Sequence, residues 1–368
     1  MNIRTRGIRK AAFALSAGLL ALTSALFQAT TAQAAGGWET VTQPLPIPQT
    51  VAKAQVLPVS ATSTVLIERW AGCPIAGCDS DAYMFHRDGT GWQAKPAGPA
   101  DQYPSSFVAG TAADDVWTFG SGDWGGQWAN HWDGTAWTSR AVDTGYAFTA
   151  KDGVAPARGE LLLAGSVYSG GVDRPAVRRL SGTTWTNTVL PAPAGKNTRL
   201  ESMLRLAAND IWVVGETTVS TGTTEMYVAR FNGTAWSQLP APKLTAPFDY
   251  VSNTIAGTAN DIWINGKQTT DGCFTTLRWD GTVWKTVPVC GAGTVNTLAK
   301  YGSDWVAGGS ATFGLRKWNG TAWTPLTAPR TTGTTVTELT ADPAAGALWA
   351  TGTDASGFFV SRLAGPLT

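Results

Sequence analysis

Lys317-Trp318-Asn319-Gly320-Thr321-Ala322-Trp323 is the stretch that decides how the rest of this sequence reads. It recurs with small changes. His86 to Trp92 reads H-R-D-G-T-G-W, His131 to Trp137 H-W-D-G-T-A-W, and Arg179 to Trp185 R-L-S-G-T-T-W. Arg230 to Trp236 reads R-F-N-G-T-A-W, and Arg278 to Trp284 R-W-D-G-T-V-W. Asp-Gly or Asn-Gly between apolar runs marks a tight β-hairpin, because such turns need φ > 0, which Gly and Asn tolerate. With four residues in the loop, Trp279 and Trp284 face each other. Cross-strand aromatic pairs of that kind contribute roughly 0.2–1 kcal/mol. Each hairpin alone is marginal and needs neighbours to bury its face.

Upstream of the hairpins lies a second element. Asp115-Val116-Trp117, Asp210-Ile211-Trp212, Asp261-Ile262-Trp263 and Asp304-Trp305 each open a short apolar run closed by glycine, with Leu161 to Gly165 and Leu348 to Gly352 as diverged copies. Another short strand precedes each, such as Tyr250 to Ala256 or Val295 to Ala299. One repeat therefore holds four strands, a to d, with an Asn-Asp-type turn between a and b and the D-G-T hairpin between c and d. Four strands in about 40–50 residues is the signature of a propeller blade.

The ends of the chain complement each other. Gly36-Gly37-Trp38-Glu39-Thr40-Val41 copies a d strand with no c strand before it, and Phe358 to Gly365 copies a c strand with no d strand after it. The first is expected to complete the last blade, sealing the ring and removing its open edges. The d-strand tryptophans are Trp38, Trp92, Trp137, Trp185, Trp236, Trp284 and Trp323, at intervals of about 48 residues, a usual blade length. The expected fold is all-β: a seven-bladed β-propeller of four-stranded blades over residues 36–368, with six blades the fallback if Trp38 lies outside the ring.

Residues 1–35 read as a secretory signal peptide. Arg4, Arg6, Arg9 and Lys10 form a charged start, Ala11 to Phe27 an apolar run, and Ala32-Gln33-Ala34 an A-x-A site with the cut expected after Ala34. A secreted, extracellular protein follows, with no membrane insertion. The whole chain carries 27 Lys+Arg against 26 Asp+Glu; without the four basic residues of the leader the balance is 23 against 26, a net charge of −3. A mildly acidic surface does not suit nucleic acid or anionic lipid.

In an exported chain the four cysteines read as two disulfides. On the Trp279/Trp284 register, Cys273 and Cys290 lie opposite each other, where Cβ atoms approach to about 4.5 Å. Cys73 and Cys78 then close C-P-I-A-G-C.

The turns between a and b and between c and d are short and uniform, while the b–c and d–a loops are long and different in every blade. Binding groups sit on irregular loops held by a regular scaffold, so the b–c/d–a side is the expected working face. Its b–c loops are read as Cys73 to Asp81, Gly122 to Trp128, Tyr168 to Arg174 and the Ser/Thr-rich Thr217 to Thr224; its d–a loops hold Tyr103, Lys196 and Phe248-Asp249-Tyr250. The candidate ligand-binding residues are Trp124, Trp128, Asp123, Tyr103, Tyr168, Phe248 and Tyr250. Aromatic faces beside Asp and Gln offer stacking and hydrogen bonds to a sugar ring or a peptide. The competing reading, and the leading one for Trp124 and Trp128, is that these rings plug a blade or cover the central channel.

No catalytic set emerges. His86 and His131 occupy a repeat position held elsewhere by Arg179, Arg230, Arg278, Lys317 and Arg362, which marks a structural slot making a surface or interblade hydrogen bond. Without a free histidine, Ser-His-Asp chemistry and histidine-ligated metals have no footing. Asp79-Ser80-Asp81 offers a calcium ion only two carboxylates, so no metal or other cofactor is expected. The repeat aspartates Asp115, Asp210, Asp261 and Asp304 are expected to bond their own turn backbone. Asn232-Gly233-Thr234 and Asn319-Gly320-Thr321 match the glycosylation sequon, but Asp or Ser elsewhere at that position says the turn selects the residue.

At Asn209 to Gly215 (N-D-I-W-V-V-G) and Phe231 to Pro240 (F-N-G-T-A-W-S-Q-L-P) the chain resembles secreted bacterial propeller repeats, distant relatives of the kelch and galactose-oxidase group. It departs from kelch in lacking a paired glycine in most blades, Gly308-Gly309 excepted, and from galactose oxidases in lacking their copper ligands. Its D-G-T-x-W stretch is similar to the sialidase Asp-box with a shorter spacing. The resemblance implies a fold that hosts both lectins and enzymes. Three functions are therefore carried forward. The first is a secreted, monomeric, non-catalytic module binding carbohydrate or an extracellular protein. The second is a glycan-active hydrolase or lyase using carboxylates on the same face. The third is a structural subunit of an extracellular assembly.

Overall fold

The computed structural model describes residues 37–41, 51–70, 82–89, 91–96, 103–121, 126–142, 148–220, 223–241, 248–268, 274–289, 293–330 and 333–367. The leader expected at 1–35 and all four cysteines lie outside the described residues.

Seven four-stranded antiparallel blades form the fold. Their a strands are Val51–Ser60, Tyr103–Ala112, Phe148–Val154, Thr198–Ala207, Phe248–Thr258, Val295–Tyr301 and Thr335–Asp342. Each a strand lies beside that of the next blade, and the seventh beside the first, so they line a closed ring. In the last blade Trp38–Thr40 supplies the outer strand, with Trp38 opposite Leu363, Glu39 opposite Arg362 and Thr40 opposite Ser361. The closure read from the two chain ends is thus the observed one. Blades 4 and 5 are joined further by a single pairing, Thr224 with Phe248.

The D-G-T hairpins form as their composition dictates. Trp132 faces Trp137, Phe231 faces Trp236, Trp279 faces Trp284 and Trp318 faces Trp323. The Asp133 carboxylate accepts hydrogen bonds from the Thr135 amide, the Thr135 hydroxyl and the Ala136 amide. Asp280, Asn232 and Asn319 cradle their turns in the same way. A short side-chain oxygen is what the turn selects.

The core is a set of slabs between blades. Each of the seven buried apolar clusters bridges one pair of adjacent blades, the last joining blade 7 to blade 1 through Trp349, Val360, Ala54, Leu66 and Phe85.

The glycine that closes each b strand answers to a β-bulge in strand a. Register skips one residue between Ala150 and Asp152, between Leu200 and Ser202, between Val295 and Thr297, and between Val336 and Glu338. The bulge drives a carbonyl against the b strand. A Cβ on Gly165 would sit 2.0 Å from the Thr149 oxygen, and one on Gly215 would sit 1.9 Å from the Arg199 oxygen. Blade 1 has Glu68 in place of this glycine; it pairs with Ala54, and the register skip lies farther along, between Val51 and Lys53.

Candidate functional site

The repeated acidic, tryptophan and basic positions form a layer inside blades 2, 4, 5 and 6. His131 Nε2 lies 2.7 Å from Asp115 Oδ1, Arg230 Nε 2.7 Å from Asp210 Oδ1, Arg278 Nε 2.8 Å from Asp261 Oδ1, and Lys317 Nζ 3.0 Å from Asp304 Oδ2. The basic group also covers the b-strand tryptophan: Arg230 stands 5.3 Å from the Trp212 ring centre, Arg278 5.5 Å from Trp263, and the His131 ring stacks on Trp117 at 4.1 Å. Cation–π contacts of this kind contribute roughly 0.5–1 kcal/mol at exposed sites.

One expectation is corrected here and one narrowed. The aspartates hold the c-strand cation, not their own turn backbone, because the neighbouring strand brings a charge partner that outcompetes a neutral amide. Of the surface and interblade readings of the basic slot, the surface one holds: the contact lies within a blade, with Arg230, Lys317 and Arg278 39%, 33% and 31% exposed. The interblade links come from the aspartates: Gly159 donates its amide to Asp115, and Trp305 donates its indole N–H to Asp261 at 2.7 Å. Burial pushes the Asp115 carboxyl up, but bonds from His131, Thr111 and the Gly159 amide outweigh it and hold the group below the ordinary carboxylate range.

At the centre of the ring is a cavity of about 270 Å³ lined by all seven a strands. The bulges decide what faces it, since the extra residue of a bulge is aimed differently from its neighbours. Lys151, Asn296 and Thr337 are three such residues on the cavity wall. Glu201, the bulge residue of blade 4, places its carboxylate 3.9 Å from Lys151 Nζ. Burial raises the Glu201 carboxyl above its usual value; Lys151 opposes the shift and Glu216 adds to it.

Much of this polar wall serves the ring itself. Asp152 accepts from the Ser202 hydroxyl at 3.0 Å and the Met203 amide at 2.8 Å, tying blade 3 to blade 4. Asn296 donates to the Val336 carbonyl at 3.0 Å, tying blade 6 to blade 7, and Thr351 donates to the Ala54 carbonyl at 3.2 Å, tying blade 7 to blade 1.

The b–c/d–a rim is built differently from its reading. Tyr168 to Arg174 and Thr217 to Thr224 were expected as loops, and both belong to long hairpins. Tyr168 pairs with Asp173 beside a Gly170-Gly171 turn, and Thr218 pairs with Thr224. Threonine is a good strand former, so a Ser/Thr-rich run extended the ladder. Tyr103, Phe248 and Tyr250 likewise lie on strand a, opposite Ser121, Gln268 and Lys267. Trp128 is on strand c of blade 2, half-buried and opposite Gly120. The topology gathers Tyr103, Trp128, Tyr168, Phe248 and Tyr250 at one end of the sheets. Asp123 and Trp124 lie outside the described residues, as do the side chains of Tyr103, Phe248 and Tyr250.

Tyr168 is 60% exposed, the most exposed large hydrophobic side chain among the described residues. Its hairpin is braced against blade 4. Arg199 holds Asp173 through Nε at 2.7 Å and Nη2 at 2.5 Å, and the Asp173 amide donates to Asn197 at 2.8 Å. Lys196 then reaches the Val219 carbonyl at 2.7 Å. No motif announced this brace, because its members lie 23 to 26 residues apart. Among the described residues, no group of three or more His, Cys, Asp or Glu could hold a metal ion.

No family model matches the chain. No curated protein matches it either. Solved structures do. YCF48 bound to D1 peptide is similar at a TM-score of 0.56 and 13% identity, over 91% of this chain and 99% of that one. YCF48 from Cyanidioschyzon merolae is similar at 0.56 and 12%, over 89% and 98%. The β-propeller domain of Cps50 (Swd1) from Myceliophteria thermophila is similar at 0.50 and 9%, over 87% and 100%. At these identities the likeness extends to the fold.

Proposed function

We propose that this chain is an exported, non-catalytic binding module that holds an extended segment of a partner protein across the b–c/d–a rim of the ring. The observation that carries this is Tyr168. An aromatic ring 60% exposed stands on a strand whose partner Asp173 is locked by Arg199. A rigid aromatic anchor beside adaptable polar groups is the usual core of a protein-binding surface. YCF48, a propeller of similar fold, has been solved bound to a D1 peptide, which supports a peptide over a sugar.

The enzymatic alternative needs carboxylates at liberty to act on substrate. On the rim Asp173 is engaged by Arg199, and at the central cavity Asp152 is engaged by Ser202 and Met203 and Glu201 by Lys151. These contacts favour binding over hydrolysis. Carbohydrate recognition remains the second reading and rests on Trp124 and Trp128.

A peptide array and a glycan array probed in parallel test the proposal. Peptide ligands are expected, with Tyr168→Ala weakening them by about tenfold or more. Val283→Ala, at a 53% exposed position in a c–d turn on the opposite rim, should leave them unchanged. Glycan ligands alone, or peptide ligands indifferent to Tyr168, would overturn it.

A further inference from the structure

The sequence contains Asn-Gly at 232–233, 265–266 and 319–320. We infer that Asn232 and Asn319 are sites of spontaneous deamidation in the folded protein, and that Asn265 is shielded from the same reaction. The reaction is set by local geometry. Glycine carries no side chain to hinder attack by its own nitrogen on the preceding carboxamide.

Asn319 is exposed, and its Oδ1 accepts three hydrogen bonds: from the Thr321 amide at 2.9 Å, the Thr321 hydroxyl at 2.9 Å and the Ala322 amide at 2.8 Å. Asn232, also exposed, accepts from the Thr234 amide at 3.0 Å and the Ala235 amide at 2.9 Å. These donors point at the oxygen on which negative charge grows when the Cγ carbon is attacked. Preorganised donors at such an atom lower the barrier. In chemical terms, the glycine nitrogen bonds to Cγ and gives up its proton, and the Cγ–Nδ2 bond breaks to release ammonia. Water then opens the cyclic imide to aspartate or isoaspartate. Each conversion consumes one water, releases one ammonia and adds a negative charge to the c–d rim.

Asn265 has the same neighbour and a different setting. It is 1% exposed on a b strand, with its Nδ2 donated to the Val295 carbonyl. Water and the required backbone rotation reach it only when the blade opens locally.

The sister turns show what the aspartate product would meet. Asp133 fills the same cradle with the same three bonds, and they pull its carboxyl down to about 2. A group so firmly ionised resists renewed attack at neutral pH. Isoaspartate would instead lengthen the backbone inside a loop closed by the Asn319 amide donating to the Ala322 carbonyl at 3.1 Å.

The test ages the full-length folded chain in neutral buffer and follows all three sites by peptide mapping with mass detection, beside a urea-denatured sample. Asn232 and Asn319 should convert at least about tenfold faster than Asn265 in the folded chain, with the three rates converging in urea. An Asn319→Asp variant should show one fewer acidic step on isoelectric focusing. The inference is overturned if Asn265 keeps pace in the folded protein. It is equally overturned if Asn232 and Asn319 stay intact in the folded chain while converting in urea.

Discussion

Glu39 stands directly opposite Arg362, with Arg362 Nη1 3.6 Å from the Glu39 carboxylate, so strands more than three hundred residues apart in sequence share one sheet. The ion pair is partly exposed and worth little on its own. The tryptophan beside it matters more. Trp38 is 2% exposed and packs into the slab between blades 6 and 7. Trp38→Ala is therefore expected to destabilise the protein by about 3–5 kcal/mol. Denaturant unfolding measures this, and an unchanged midpoint would show that the ring stays shut without the seam.

Gly215→Ala tests the bulge. The new methyl group would meet the Arg199 carbonyl at 1.9 Å, so strand a has to shift and a loss of about 1–3 kcal/mol or more is expected. Gly91→Ala is the control, since nothing lies within 4 Å of a Cβ there. It should be neutral or stabilise by less than about 1 kcal/mol.

The acidic layer predicts a pH dependence. The Asp115 and Asp261 carboxyls are held below their ordinary range in the folded state. A depressed carboxyl contributes stability that is complete above its unfolded value, about 3.9, and is lost as pH falls through the folded one. Thermal stability should therefore decline on acidification below about pH 4. Glu201, raised by burial, acts in the other sense and favours folding at the acid end. Asp115→Asn should flatten part of the acid-side decline and cost about 1–3 kcal/mol at neutral pH. Asp210→Asn should cost less than about 1 kcal/mol, because Asp210 is 18% exposed where Asp115 is 1% exposed, and its partner Arg230 is 39% exposed where His131 is 21%.

The pairing read from the sequence for the four cysteines has a direct test. Non-reducing peptide mapping of the protein expressed with its leader into an oxidising compartment should link Cys273 to Cys290 and Cys73 to Cys78. A Cys73–Cys273 linkage, or free thiols throughout, would count against the assignment.

What the chain reveals on reading is whatever lies within a few residues. The D-G-T turns, the facing tryptophans such as Trp279 and Trp284, and the complementary ends near Trp38 and Arg362 are all local patterns, and all are observed. What it hides depends on strands meeting. Asp210 resembles a turn-capping residue until Arg230 is brought alongside. Lys151 looks like one more strand position, because a bulge interrupts the alternation that would reveal its direction. The run from Thr217 to Thr224 has the composition of a loop and the β-branching of a strand, and its described residues, Thr217 to Ser220 and Thr223 to Thr224, are strand. Of the candidate site, the brace of Arg199 on Asp173 was not legible, because its members meet only where two blades come together.

A wheel whose rim is joined between Trp38 and Leu363 keeps its earliest strand waiting for its latest. Six blades can form from consecutive segments of the chain, but the seventh lacks its outer ribbon until the chain folds back on its own beginning. A tag or carrier fused just ahead of Trp38 therefore sits on the joint, and is better moved to a c–d turn, where the chain has no such appointment to keep.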